Sequence, residues 1–120
     1  LDFSPELNMV RYLQSIRKYP ILTQEEEYEL ATKYQQTKDS KIAYKLVTSH
    51  LRLVVKVVSN YKGYGLPLAE MISEGNIGLL YAVDKFEPEK GFRFSTYAMF
   101  WVRAEIYETI LNKYKKNSQQ

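Results

Sequence analysis

From Met9 to Tyr114 the apolar residues of this chain recur every three or four positions, and no window alternates apolar with polar residues as a half-buried strand would. A sequence patterned this way hides its apolar stripes by laying helix against helix. It is therefore expected to be all-α, a compact bundle of about five helices. At 120 residues it is one domain with room for a single core.

Local signals divide that pattern. Residues 8–19 read as a short amphipathic helix with Met9, Tyr12, Leu13 and Ile16 on one side, ended by Pro20. Thr23 followed by Glu26 is a capping box that starts a second helix through about Gln36. After a polar joint at Thr37 to Asp39, a third helix is expected from Ser40 to about Tyr61, with Ile42, Leu46, Val47, Val54, Val57 and Val58 in its apolar stripe. Gly63 and Gly65 break the chain, and Pro67 fits the first turn of a fourth helix reaching about Phe86. Inside that helix Gly75 and Gly78 predict the close approach of another backbone. Pro88 and Gly91 mark a loop. Ser95 or Thr96 is expected to cap the last helix, from about Tyr97 to Tyr114, with Ala98, Val102, Ile106 and Ile110 as its core stripe. Lys115 to Gln120 form a polar tail, expected to be frayed.

The last helix carries more aromatic surface than one buried stripe uses. Phe92, Phe94, Tyr97, Phe100 and Trp101 crowd together and Arg103 follows at once. Tyr97 and Trp101 lie one turn apart on a helix and share a face. Flat rings beside a guanidinium suit unstacked nucleobases on a phosphate chain, each stacked base contributing about 1–3 kcal/mol. The competing reading, that the rings are core, fits any one of them better than all five, because Ser95, Thr96 and Arg103 make the segment half polar.

Charge and inventory narrow the function. The net charge of +3 is small, but Lys38, Lys41, Lys45, Arg52, Lys56 and Lys62 face only Asp39 in their stretch, while Glu25, Glu26, Glu27 and Glu29 crowd the first third. A basic middle and an acidic flank suit a polyanion on one side and a protein on another, although charge runs are more often solvated faces. The absence of cysteine removes disulfides and thiol chemistry and fits a reducing, cytoplasmic setting. No apolar run approaches the roughly 20 residues that span a bilayer, so no membrane partner is expected. His50 is the only histidine and has no marked acid or nucleophile partner. Glu70 and Glu74 lack the histidine three residues on that helical di-metal sites use, and the glycines match no phosphate loop. Catalysis, cofactor and metal are therefore not expected. On the fourth helix Glu70, Ser73, Glu74 and Asn76 lie among partly exposed Ile77, Leu80 and Tyr81, which suits docking against a basic partner helix as well as an ordinary solvated face.

The run ISEGNIGLLYAVDKFEPEKGFRFSTYAMFWVRAEI, Ile72 to Ile106, resembles conserved region 2 of the bacterial sigma factors that direct RNA polymerase to promoters. LVTSHLRLVVKVVSNYKGYGLP, Leu46 to Pro67, is similar to the preceding part of that region. GYGLP and the Ser-Glu-Gly-Asn version of the fourth helix are similar to the heat-shock branch, especially its alphaproteobacterial type. Residues 8–36, with YPILTQEEEYELA, look like that branch's region 1.2. The likeness covers residues 8–112 and implies region 1.2-like helices over 1–37, a region 2 core-binding and promoter-melting domain over 38–114, and a polar tail over 115–120.

The resemblance further implies capture of the non-template single strand of the −10 element of promoter DNA. Phe86, Phe92, Phe94, Tyr97, Phe100 and Trp101 match the family's aromatic melting positions. Tyr97 falls where a flipped adenine stacks, with Phe86 and residues beside Arg52 near that pocket's walls and Lys56 on the same basic helix. Phe100 and Trp101 match the pair that wedges at the upstream edge of the bubble, and phenylalanine at the first loses the indole N–H usual there. His50, Leu53 and Ser95 fall near a second base pocket, and Arg103 matches a backbone contact. Ala104 and Tyr107 replace the glutamine and threonine of housekeeping relatives, which predicts a different −10 preference because alanine cannot make glutamine's bidentate contact to adenine. Glu70, Ser73, Glu74, Asn76 and Leu80 match positions that grip the coiled coil in the largest subunit of core RNA polymerase, with Ser73 shorter than the glutamine common there. The segment after Asn112 departs from the family's continuation into −35 recognition, as expected of an excised domain or a natural truncation. It leaves room for a sigma-like adaptor that binds polymerase or an anti-sigma protein without opening DNA, and for an anti-sigma or chaperone regulator. A helix-turn-helix reader of intact duplex fits less well, because no compact second reading helix follows.

Overall fold

The computed structural model describes residues 9–118, and within them the chain forms six α-helices and no strand. They are α1 (Met9–Ile16), α2 (Gln24–Thr37), α3 (Ser40–Thr48), α4 (Leu51–Val58), α5 (Leu68–Lys85) and α6 (Phe94–Ser118), with 3-10 turns at Ser59–Tyr61 and Pro88–Lys90. The expected all-α bundle is present. Residues 1–8 of the expected first segment, and residues 119 and 120 of the expected tail, lie outside the described residues.

Several starts and stops follow the local chemistry. The Thr23 hydroxyl accepts from the Glu26 N–H at 3.1 Å, and the Thr23 N–H donates to Glu26 Oε1 at 2.9 Å, completing the capping box of α2. That backbone donor holds the Glu26 carboxyl below its ordinary pKa. Asp39 caps α3 by accepting from the Lys41 N–H at 2.9 Å.

The single third helix expected over 40–61 is two helices. The Thr48 hydroxyl donates to the Lys45 carbonyl, the Ser49 hydroxyl donates to the Leu46 carbonyl, and His50 leaves helical geometry at φ −121° and ψ 9°. Side chains that bond back to the preceding turn compete with the helix ladder, and Thr48 and Ser49 both do so just before the break at His50. Apolar burial continues across the break, through Leu46, Val47, Leu51, Val54, Val57 and Val58.

Helices α5 and α6 form an antiparallel hairpin at the centre of the bundle. Phe86 meets Phe94, Gly78 meets Trp101 and Val102, Gly75 faces Ile106, and the Gly65 carbonyl accepts from Lys113 Nζ. The expected core stripe of α6 is correct, with Ala98, Val102, Ile106 and Ile110 all buried. The close approach of another backbone expected at both glycines is present at Gly78, whereas Gly75 is met by side chains instead. A Cβ on Gly78 would lie 2.5 Å from the Trp101 carbonyl oxygen and 2.9 Å from the Val102 Cα, and one on Gly75 would lie 2.7 Å from Val54 Cγ1.

Both ends of α6 differ from expectation. It starts at Phe94 rather than near Tyr97, and neither Ser95 nor Thr96 is its cap. The Phe94 N–H donates instead to Glu27 Oε2 of α2 at 2.9 Å, so a distant carboxylate replaces the local hydroxyl. At the other end the helix continues through Lys115 and Lys116 to Ser118, where a frayed tail was expected, and the two lysines favour the negative end of the helix dipole.

Candidate nucleic-acid and protein interface

The loop after α5 and the first turns of α6 gather the rings into one block. The Phe86 ring is edge-on to Phe94 at 5.2 Å between centroids and lies 5.5 Å from Tyr97. Tyr97 continues to Trp101 at 6.5 Å, and Trp101 to Tyr81 of α5 at 5.7 Å. Tyr97 and Trp101 are half-buried, so each is held by packing and keeps an open edge, and the Tyr97 hydroxyl donates to the Lys85 carbonyl. Phe92 is 66% exposed and Phe100 69% exposed, with Arg103, Ala104 and Tyr107 also at the surface. Tyr97 and Trp101 therefore present supported stacking surfaces, with exposed Phe92 and Phe100 in the same segment and Arg103 one turn after Phe100.

Four sequence-based expectations need correction. Phe94 is fully buried between His50 and Phe86, so it is core and cannot meet a base without the bundle opening. Phe86 is 8% exposed and can only back the Tyr97 ring. Arg52 is no free member of a basic patch, because its guanidinium donates to the Tyr19 carbonyl at 2.6 Å and the Arg17 carbonyl at 3.3 Å, tying the segment after α1 to α4. His50 turns inward. Its Nδ1 lies 2.8 Å from the Leu46 carbonyl, which can only accept, so Nδ1 carries the proton. Burial lowers its pKa, outweighing the Leu46 carbonyl and Glu27, which raise it, and its Nε2 lies 3.9 Å from Glu27 Oε1. Leu53 and Ser95 are half-buried, and Lys56 is exposed.

Glu27 is the residue that the sequence reading missed. Grouped there with a solvated acidic flank, it is 3% exposed and accepts from Arg93 Nε and Nη2, each at 3.1 Å, besides the Phe94 N–H. The paired carboxylate in turn holds the Arg93 guanidinium above its ordinary pKa. One signal could have found it: in the pattern of α2, Glu27 falls one turn before Ala31, on the apolar side.

The second surface lies on α5. Ile77, Leu80 and Tyr81 are exposed, Glu70 is exposed, and Ser73, Glu74 and Asn76 are half-buried. Asn76 is less free than expected, since its amide donates to the Tyr12 hydroxyl at 3.4 Å. Glu70 and Glu74 share a groove of about 610 Å³ with Glu105 and Glu108 of α6, which the sequence reading did not single out. Partial burial raises the Glu105 pKa, and Glu108 and Glu74 add to the shift. Among the described residues no group of three carboxylates or histidines could hold a metal ion.

The sequence pattern described as Sigma-70 region 2 matches residues 46–116, and that described as Sigma-70 factor, region 1.2, matches residues 9–40. The chain belongs to the sigma-70 family. It is 58% identical over 103 residues to an RNA polymerase sigma factor RpoH of Zymomonas mobilis, covering 86% of this chain and 34% of that protein. The RpoH of Caulobacter vibrioides is 56% identical over 111 residues, 92% of this chain and 38% of its own length. That of Rhizobium radiobacter is 54% identical over 109 residues, 91% and 36% respectively. The heat-shock branch expected from GYGLP and Ser-Glu-Gly-Asn agrees with these RpoH relatives. This sigma-70 chain spans little more than a third of their length. Its buried Glu27 joins the segment that matches region 1.2 to the segment that matches region 2.

Proposed function

We propose that this sigma-70 chain docks on core RNA polymerase through α5 and holds the unstacked non-template strand of the −10 element on the aromatic face of α6. The observation that carries the reading is the pair Tyr97 and Trp101, half-buried, backed by Phe86 and Tyr81, and open to solvent on one side. Opening a duplex costs a few kcal/mol per extruded base, and stacking on a fixed ring offsets it by about 1–3 kcal/mol. Rings already held in place lose little side-chain entropy on binding, so more of the stacking energy is retained. No hydrolysis is needed when capture drives melting. Exposed Arg103 lies one turn after Phe100 on α6 and supplies a cation for a phosphate of the bound strand.

Glu70, Glu74 and exposed Leu80 suit a basic helix carrying apolar side chains, the chemistry expected of the polymerase coiled coil. Exposed Ala104 and Tyr107 offer no bidentate donor and acceptor pair to an adenine edge, which supports a −10 preference different from the housekeeping one. The test is binding of a fluorescent −10 non-template oligonucleotide by this chain assembled with core polymerase. Tyr97→Ala and Trp101→Ala are each expected to weaken it about 5- to 150-fold. Unchanged affinity in both variants overturns strand capture and leaves a polymerase-binding adaptor.

A further inference from the structure

We propose that Tyr81 of α5 is the positioning residue for Trp101: its ring holds the indole in the orientation that stacks on a captured base, and it acts through Trp101 rather than on the strand. This rests on the strand-capture reading and gives a part in it to a residue of the docking helix.

The placement begins at Gly78. Without a Cβ there, α6 comes so near that an added one would lie 2.5 Å from the Trp101 carbonyl oxygen. Tyr81 follows three residues later, one turn along α5 on the same face. At that crossing its ring reaches the indole, 5.7 Å away between centroids and tilted by 47°, a separation at which aromatic pairs attract. Tyr97 stands edge-on at 6.5 Å, but it belongs to the same helix as Trp101. Tyr81 is the ring that ties the indole to a second helix. It does so with its ring alone, since its hydroxyl makes no hydrogen bond with the described residues.

Phe100 supplies the contrast. It precedes Trp101 directly, is 69% exposed and has no ring contact with the described residues. A free ring gives up rotamer freedom when a base stacks on it, whereas a braced ring has given it up already. Of these two adjacent aromatics, Trp101 is the one that starts in place, and the cause is a side chain on the neighbouring helix.

Trp101 is the sole tryptophan of the chain, so its emission reports the contact directly. In the full chain, Tyr81→Ala is expected to move that emission to longer wavelength and lower its anisotropy, and Tyr81→Phe to leave both unchanged. Affinity for a −10 non-template oligonucleotide is then measured at saturating core polymerase, so that a change in docking does not enter. Tyr81→Ala should weaken it about 2- to 12-fold and Tyr81→Phe by less than about twofold. In a Trp101→Ala background, Tyr81→Ala should bring no further loss. An equal loss in both backgrounds means that Tyr81 acts on its own, and overturns the positioning role. Unchanged emission in Tyr81→Ala, or a Tyr81→Phe variant that behaves like the alanine one, overturns it too. If Trp101→Ala weakens binding while Tyr81→Ala does not, the positioning role is wrong and strand capture stands. If Trp101→Ala leaves affinity unchanged, the positioning role falls, and if Tyr97→Ala does so as well, strand capture falls with it.

Discussion

Glu25, Glu26, Glu27 and Glu29 stand close together in sequence, yet only Glu27 turns inward. Its carboxylate is balanced by Arg93 from one side and the Phe94 N–H from another, which makes the two ends of the pair unequal to mutation. Arg93→Ala strands a buried anion and is expected to lower unfolding stability by about 3–5 kcal/mol. Glu27→Gln keeps an oxygen for the Phe94 N–H and leaves Arg93 free to reach water, so about 1–2 kcal/mol is expected. Urea unfolding of the two variants checks the order, and an equal loss would mean that the pair is not what Glu27 contributes. His50, beside the same carboxylate, supplies a pH dependence. Burial places its folded pKa below the unfolded value of 6.5, so the unfolded chain takes up the proton first as pH falls. Stability from this group is present above 6.5 and declines as pH drops from there toward the folded value. Glu27 opposes the shift, while burial, Arg93 and Arg52 favour it. Melting temperature recorded against pH should fall less steeply on the acid side in His50→Gln, and parallel curves would assign the acid sensitivity elsewhere.

The elements that could be read from the sequence are those whose causes are local. The capping box of α2, the core stripe of α6 and the close backbone approach at Gly78 were each signalled by residues a few positions apart. What could not be read depends on distant partners. The start of α6 is set by a carboxylate 67 residues away in sequence, and the inward turn of Phe94 follows from that anchor. The break between α3 and α4 lay between the two cases, because Thr48, Ser49 and His50 signal it locally while the apolar stripe runs straight through. At the candidate site the aromatic positions were legible as a set, but which rings are core was not, since ring spacing alone does not say where a second helix lies. The glycines give a test at this scale. Gly78→Ala places a methyl group 2.5 Å from a backbone oxygen, so α5 and α6 must part, with an expected loss of about 1–3 kcal/mol despite the gain in helix propensity. Gly75→Ala meets the Val54 side chain and should lose less, because a side chain can shift where a backbone cannot. Thermal unfolding of the two variants decides it, and a milder Gly78→Ala would refute the tight crossing.

Across the whole molecule the two proposed faces belong to one rigid hairpin, and they meet where Tyr81, on the rim of the carboxylate groove, packs against Trp101 at 5.7 Å. A polymerase element seated on α5 therefore also fixes the aromatic face of α6 in space, with no hinge between them. This arrangement separates variants into three kinds. Glu74→Arg reverses a charge in the groove and should weaken core polymerase binding by about tenfold or more, while strand affinity is retained once polymerase is saturating. Tyr97→Ala should do the opposite, sparing polymerase affinity and losing the strand. Gly78→Ala alters neither surface chemically, yet it parts the helices that carry both, so it should weaken both activities together. Titration of each variant with polymerase, followed by oligonucleotide binding at saturating polymerase, reads the two losses separately. Should Gly78→Ala impair only one activity, the hairpin would not be the common support, and docking and strand capture would have to be positioned independently.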